Sequence, residues 1–125
     1  MDFQNYVSRQ RKWSKQTFGT EQRTEGIMKH IEKEVNEVRE CLKSIDQEND
    51  KLVIDLNKVK ELHIECLYEC IDIIILAIDA AWRMGFSSFE IEQALADKQI
   101  KNYRRKWPKD SDPNKPTEHI KEEQP

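Results

Sequence analysis

Apolar residues recur at helical spacing along most of the chain. In the stretch that begins near Gly26 they fall at every third or fourth position, at Ile27, Ile31, Val35, Val38 and Leu42. Residues 64–84 are apolar on nearly every side, which is typical of a helix at the centre of a fold. Shorter amphipathic patterns predict three further helices, over 6–15, 51–62 and 89–106. The charged residues 43–50 are expected to form a loop.

Residues that favour turns are scarce before residue 108. All four prolines lie within residues 108–125, and the three glycines are Gly19, Gly26 and Gly85. A β-rich fold needs turn residues about every ten positions, so the pattern predicts an all-α fold. We expect one helical domain over 1–107 and a disordered tail over 108–125. The helix over 64–84 is apolar on more sides than three short helices can cover, so a partner subunit is expected to complete the bundle.

Composition and charge narrow the functional class. The chain has 125 residues, of which 24 are acidic and 21 basic, for a net charge of −3. This length corresponds to one domain, and the charge balance excludes a protein that binds nucleic acid by electrostatics alone. The longest apolar run, residues 73–78, is far shorter than the roughly 20 residues of a membrane helix. The three cysteines form no CxxC pair and the N-terminus has no apolar signal segment, so we expect a cytoplasmic protein.

A first pair of acids lies beside the apolar stripe of the helix that begins near Gly26. At about 100° per residue, Glu34 and Glu37 fall on the flank of that stripe, together with His30. Two glutamates three positions apart repel each other unless a positive charge lies between them. They are therefore either the solvated border of a core stripe or ligands of a cation.

A second set of acids interrupts the apolar helix over 64–84. Four carboxylates project within an arc of about 80° on a helix that is apolar elsewhere, namely Glu65, Glu69, Asp72 and Asp79. Burying unpaired carboxylates costs free energy, so the cluster implies compensating cations. These are either Lys and Arg side chains from neighbouring helices or divalent metal ions. Hard oxygen ligands without His or Cys partners favour Mg²⁺ or Mn²⁺.

The last predicted helix carries a different chemistry. Its apolar stripe leads into Lys98, Asn102 and Arg105, which lie within about 60° of one another. An ammonium, an amide and a guanidinium can together bind phosphate oxygens, although cations near a helix C-terminus also complement the helix dipole. Combined with the acids, this surface suggests a site for a magnesium-bound polyphosphate.

Four ordered blocks of sequence resemble a known family. They are WSKQTFG at 13–19, GIMKHIEKEVNEV at 26–38, ECIDIIILAIDAAWRMG at 69–85 and KQIKNYRRKWP at 98–108. With its ExxE and ExxD motifs, the chain is similar to the MazG-like all-α nucleoside-triphosphate pyrophosphohydrolases. Within them it resembles the dATP/dGTP pyrophosphohydrolase branch, which includes the phage MazZ enzymes. The stretch between Glu37 and Glu69 is longer than is usual in that family.

The resemblance implies a metal-dependent hydrolysis of dGTP or dATP to the monophosphate and pyrophosphate. Two or more Mg²⁺ or Mn²⁺ ions would be held by Glu34, Glu37, Glu69 and Asp72. One of the first two, Glu37 or Glu34, would also assist as the catalytic base. The family further implies a homodimer or homotetramer whose helices form a bundle across the interface.

The remaining site residues follow from the same resemblance. The triphosphate would be held by Lys98, Asn102 and Arg105. The base or sugar would be contacted by His30, Trp13 and Phe18, although core packing explains these three equally well. No membrane or nucleic-acid partner is expected. The alternative function is a non-catalytic helical module that binds a partner or a nucleotide. The composition is compatible with such a module, whereas the acid stripe inside an apolar helix argues against it.

Overall fold

The protein is all-α, as the sequence predicts. A computed structural model describes residues 1–121, and these contain four helices and no β-strand. The helices are α1 (Phe3–Phe18), α2 (Thr24–Asn49), α3 (Leu56–Arg83) and α4 (Ser88–Arg104). None of these helices has the length and apolar character needed to cross a bilayer. The chain divides into two compact units, Met1–Ile91 and Glu92–Pro125, with the boundary inside α4.

The loop predicted over 43–50 is wrong, because α2 continues to Asn49. Within this charged run, Ile45 is buried and packs in a core cluster with Leu62 and Cys66. Glu48 is buried as well, and its carboxylate accepts from the Lys51 ammonium at 2.6 Å. Because most residues of this run are charged, the two buried positions are not evident from the sequence, and the pattern favours a loop. The helix continues through the run, and its side chains at these two positions pack against the rest of the protein.

The helix predicted over 51–62 begins later than expected, and its residues 56–62 are continuous with the helix predicted over 64–84. α3 begins at Leu56, where the Asp55 side chain accepts a hydrogen bond from the Lys58 amide at 3.1 Å. Such a cap satisfies one of the free N–H groups in the first turn and fixes the start of the helix. The turn between α2 and α3 is therefore confined to residues 50–55.

α2 and α3 pack as an antiparallel pair. The Cys41 thiol donates to the Leu62 carbonyl at 3.1 Å, and Cys66 lies against Val38, so positions rise on one helix as they fall on the other. Burial, followed by the neighbouring Cys66 thiol, raises the pKa of Cys41 to about 11, so this thiol stays neutral. The same register brings residues 34–37 of α2 opposite residue 69 of α3.

Arg83 fastens α1 and the following loop to the end of α3. Its side chain is 1% exposed, and its five N–H groups have five acceptors. These acceptors are the Asp79 carboxylate, the carbonyl and hydroxyl of Ser14, and the carbonyls of Gly19 and Glu21. Removing one partner from a buried ion pair costs about 3–5 kcal/mol, so this contact strongly constrains the α1–α2 connection.

A short turn separates α3 from α4. Gly85 adopts a φ of +104°, a left-handed conformation that side chains with a Cβ rarely adopt. Ser87 then caps α4: its hydroxyl accepts from the Glu90 amide at 3.1 Å, and the Glu90 carboxylate accepts from the Ser87 amide at 3.2 Å. This reciprocal pair is a capping box, which fixes where α4 begins.

In the second unit, the segment after α4 returns to the helix end. Lys106 and Ile120 form an antiparallel bridge, and the Trp107 ring meets the His119 ring edge-on at 6.0 Å. The Trp107 indole also donates to the Asn102 carbonyl at 2.8 Å. Disorder of the whole tail over 108–125 stays a prediction, and residues 122–125 lie outside the described part of the chain.

One face of α3 remains exposed within the first unit. Five large apolar residues lie at helical spacing on it, namely Ile64, Leu67, Tyr68, Ile71 and Ile74, and each is at least 39% exposed. Stripes of this kind on a single chain usually mark an interaction surface.

Candidate active site

Three carboxylates meet between α2 and α3. Glu34 and Glu37 come from consecutive turns of α2, and Glu69 faces them from α3. One carboxylate oxygen of each residue lies within 4.8 Å of the others. Glu34 is 7% exposed and the other two are half-buried. The antiparallel register therefore joins the ExxE pair to the first acid of ExxD.

The three-acid cluster lacks compensating positive charge. Within residues 1–121, its one contact of salt-bridge length with a basic side chain joins the His30 ring to Glu34 Oε1 at 3.2 Å, and this ring is charged only when it is protonated. Glu34 Oε2 and Glu69 Oε2 are buried and have no hydrogen-bond partner in that part of the chain. The neighbouring Glu34 and Glu37 carboxyls, through hydrogen bonds that a protonated Glu69 can make, raise the pKa of Glu69 to about 7, and burial adds to the shift. The three carboxylates therefore repel one another when all of them are ionised, and this repulsion costs free energy.

A divalent cation fits this donor set. The cluster offers only carboxylate oxygens, which are the ligands preferred by Mg²⁺ and Mn²⁺. A bound cation would also give the two unpartnered oxygens the positive charge that they lack. The residues present therefore match the chemistry of a hard metal ion.

Asp72 lies beside this cluster rather than within it. It is exposed on α3, one turn after Glu69, and it lines a cavity of about 280 Å³ together with Glu34. A ligand in the cavity can therefore contact both Asp72 and the buried end of the three-acid cluster. Its predicted role as a metal ligand stays a prediction.

The residues predicted to contact base or sugar line the same cavity. Trp13, Phe18 and His30 are all in its wall, and about half of each aromatic residue is exposed. The Trp13 and Phe18 rings meet edge-on with their centroids 5.6 Å apart. The Arg23 guanidinium lies 5.0 Å from the Phe18 ring centroid and donates to the Phe18 carbonyl. These contacts place an aromatic corner beside the acids.

The four acids of the α3 stripe have different partners. Glu69 joins Glu34 and Glu37, and Asp72 lines the cavity. Asp79 is buried and accepts from the Arg83 guanidinium at 3.0 Å, whereas Glu65 is exposed outside the cluster. Asp79 is thus paired with a protein cation, although Arg83 belongs to α3 itself and not to a neighbouring helix. The metal explanation for Glu69 stays a prediction. The i, i+4 spacing of Asp79 and Arg83 was the sequence signal for their ion pair.

The predicted phosphate-binding residues belong to the second unit. Lys98 is exposed on α4, while Asn102 and Arg105 are half-buried and share a long hydrogen bond of 3.4 Å. Arg105 lines a second cavity of about 420 Å³, whose other charged residues were not singled out in the sequence, namely Lys101, Arg104, Lys106, His119 and Lys121. The recurrence of Lys101, Arg104 and Lys106 around the end of α4 is the signal that could have identified these three.

A family model matches part of the chain. The model described as dATP/dGTP pyrophosphohydrolase matches residues 64–125. This segment of the chain is similar to the dATP/dGTP pyrophosphohydrolase family. The family match contains Glu69, Asp72 and the predicted phosphate-binding residues, whereas Glu34 and Glu37 precede it. In the folded chain, Glu69 of the matched segment lies beside Glu34 and Glu37 in the three-acid cluster. No curated protein and no solved structure gives a match.

The raised pKa of Glu69 predicts a pH-dependent stability for the metal-free protein. A carboxyl that holds its proton more tightly when folded stabilises the fold at low pH and loses that contribution as pH rises. We expect the free energy of unfolding to fall between pH 4.5 and about 7 and Glu69→Gln to reduce this slope. Denaturant titrations at several pH values, in the presence of a chelator, measure it. Glu65→Gln is the matched control on α3, and equal slopes in all three proteins would contradict the assignment.

Proposed function

We propose that the protein is a metal-dependent pyrophosphohydrolase that converts dATP or dGTP to the monophosphate and pyrophosphate. The family match supports the reaction class and the purine deoxynucleotides. The three-acid cluster of Glu34, Glu37 and Glu69 carries the proposal, because it provides the oxygen donors that such a reaction needs. It stands beside a cavity lined by aromatic rings.

Four acids would hold the cofactor, with Asp72 added to the three-acid cluster. We propose two or more Mg²⁺ or Mn²⁺ ions, because a nucleoside triphosphate is itself strongly negative and cannot otherwise approach these acids. Bound there, the metal ions would neutralise phosphate charge and lower the pKa of an attacking water. The unpartnered oxygens of Glu34 and Glu69 support this role.

The protein's own groups would complete the reaction. Glu37 or Glu34 would accept the proton of the attacking water, and Lys98, Asn102 and Arg105 would hold the β- and γ-phosphates as one leaving group. Water attacks the α-phosphorus, the bond from that phosphorus to the α,β-bridging oxygen breaks, and pyrophosphate leaves. Trp13, Phe18 and His30 would contact the base or sugar from the cavity wall.

Product analysis with acid variants tests the proposal. We expect Glu37→Gln and Asp72→Asn each to lower kcat/KM by about a hundredfold or more, because each removes several kcal/mol of charge stabilisation in the transition state. Glu65→Gln, which changes an exposed acid of α3 outside the cluster, should leave kcat/KM within about twofold of wild type. Chromatography of dATP and dGTP reactions with Mg²⁺ or Mn²⁺ measures turnover and products, and circular dichroism checks the fold.

Two results would contradict the proposed reaction. Orthophosphate and a deoxynucleoside diphosphate as products would place the cleavage at the wrong bond. Binding of nucleotide without turnover under any metal condition would favour the alternative of a non-catalytic nucleotide-binding module.

We also propose that a second copy of the chain covers the exposed apolar face of α3. Five large apolar side chains lie on this stripe within one unit, and burying them would contribute to association. We expect Leu67→Glu to shift the molecular mass measured by light scattering from a multiple of 14.9 kDa towards 14.9 kDa. Leu52→Glu is the control, since Leu52 is fully exposed outside this face. A wild-type mass of 14.9 kDa at micromolar concentration would contradict the proposal.

A further inference from the structure

Asp79 lines the cavity beside the acids, and only part of its carboxylate has a partner. Arg83 binds Oδ2 at 3.0 Å, whereas Oδ1 has no hydrogen-bond partner among residues 1–121. Asp79 is 7% exposed. A buried acceptor without a partner is costly, so a donor from a ligand in the cavity would be strongly favoured here.

Arg83 holds this carboxylate in a fixed position. All five of its N–H groups are occupied, and its side chain is 1% exposed, so it is not available to bind a ligand itself. Two of these hydrogen bonds end on Ser14, which also lines the cavity. The free oxygen of Asp79 is therefore an acceptor set in place before any ligand arrives, which favours recognition over general charge attraction.

The position of Asp79 along α3 indicates which part of a nucleotide it meets. It follows Asp72 by seven residues, which corresponds to about 10 Å along the helix axis. The phosphates belong at the Asp72 end, because that end adjoins the three-acid cluster. In a nucleotide the sugar lies between phosphate and base, so a group at the other end of the cavity meets the base.

The aromatic corner supports the same placement. Trp13 and Phe18 line the cavity that Asp79 lines, and their half-exposed rings offer a surface against which a base can pack. Stacking on aromatic rings is tolerant of the identity of the base. An acceptor at the base edge would therefore supply the selectivity that the rings do not.

We propose that Asp79 determines base specificity by accepting a hydrogen bond from an amino group of the nucleobase. This inference rests on the proposed function, since it deepens the substrate recognition of that same cavity. The ligand class is a purine deoxynucleotide that carries an exocyclic amino group. Asp79 is a specificity residue in this account and takes no part in the transfer of the phosphoryl group.

Pairs of substrates that differ by one amino group test this role. The first pair is dGTP and dITP, which lacks the 2-amino group. The second is dATP and the purine deoxynucleoside triphosphate that lacks the 6-amino group. For the better substrate of dATP and dGTP, we expect loss of the amino group to lower kcat/KM at least about fivefold, because the buried acceptor is left unpaired. Asp79→Asn, whose amide can keep the bond from Arg83 while presenting a donor, should bring that ratio close to one.

Ser14→Ala provides the matched control. It removes one hydrogen bond of Arg83 but leaves the Asp79 carboxylate intact, so the substrate ratio should stay as in wild type. A purely structural role of Asp79 would lower activity on both members of a pair equally. Ratios near one in wild type, or an unchanged ratio in Asp79→Asn, would overturn the proposal. If Asp79→Asn does not fold by circular dichroism, the wild-type ratio decides.

Failure of the proposed function gives a different result. In that case no triphosphate is turned over, and equilibrium binding of the same nucleotides is followed by quenching of tryptophan fluorescence, since Trp13 lines the cavity. At least about fivefold weaker binding of the nucleotide without its amino group would then support the role of Asp79. Equal binding, or no binding of any of the nucleotides, would overturn it.

Discussion

Repulsion among three carboxylates is the physical constraint on which the site depends. The antiparallel packing of α2 and α3 holds Glu34, Glu37 and Glu69 together, and two of their oxygens are buried without a partner in the described chain. Carboxylates in this position either bind protons, as the raised pKa of Glu69 shows, or bind a cation. The packing of the rest of the helix pair, through Ile45, Leu62 and Cys66, provides stability that offsets this local cost.

A second charged contact shapes the cavity beside that cluster. Arg83 ties the end of α1 and the following loop to α3, and this positions Trp13 and Phe18 near the acids. Its partner Asp79 contributes to stability through one oxygen and lines the cavity. One ion pair therefore serves both the fold and, in the role proposed for Asp79, the recognition of the ligand.

Sequence periodicity predicted the helical class because apolar spacing survives in every helix of the described chain. It failed at residues 43–49, because the charged neighbours of Ile45 and Glu48 obscure the buried positions. It also failed to find where α3 begins, because this one helix contains an amphipathic segment followed by an apolar one. The Glu34/Glu37 pair and the stripe of four acids on α3 could be found by spacing alone, whereas the choice of Glu69 and Asp72 within that stripe depended on the family resemblance. The contact of Glu69 with Glu34 and Glu37 could not be predicted from spacing, because it depends on the register of α2 against α3. Side-chain packing determines that register. The phosphate-binding role of Lys98, Asn102 and Arg105 remains a prediction, as do the metal ions.

The central claim is that the three-acid cluster binds a divalent cation in place of a proton. Isothermal titration calorimetry of Mn²⁺ binding tests this claim. The titrations are carried out at pH 6.5 and at pH 8.5 in buffers of different ionisation enthalpy, which gives the number of protons released. Since the pKa of Glu69 is about 7, binding should release more protons at the lower pH, and Glu69→Gln should lose most of that difference. Absence of saturable Mn²⁺ binding at both pH values, or binding that Glu69→Gln leaves unchanged, would contradict the account.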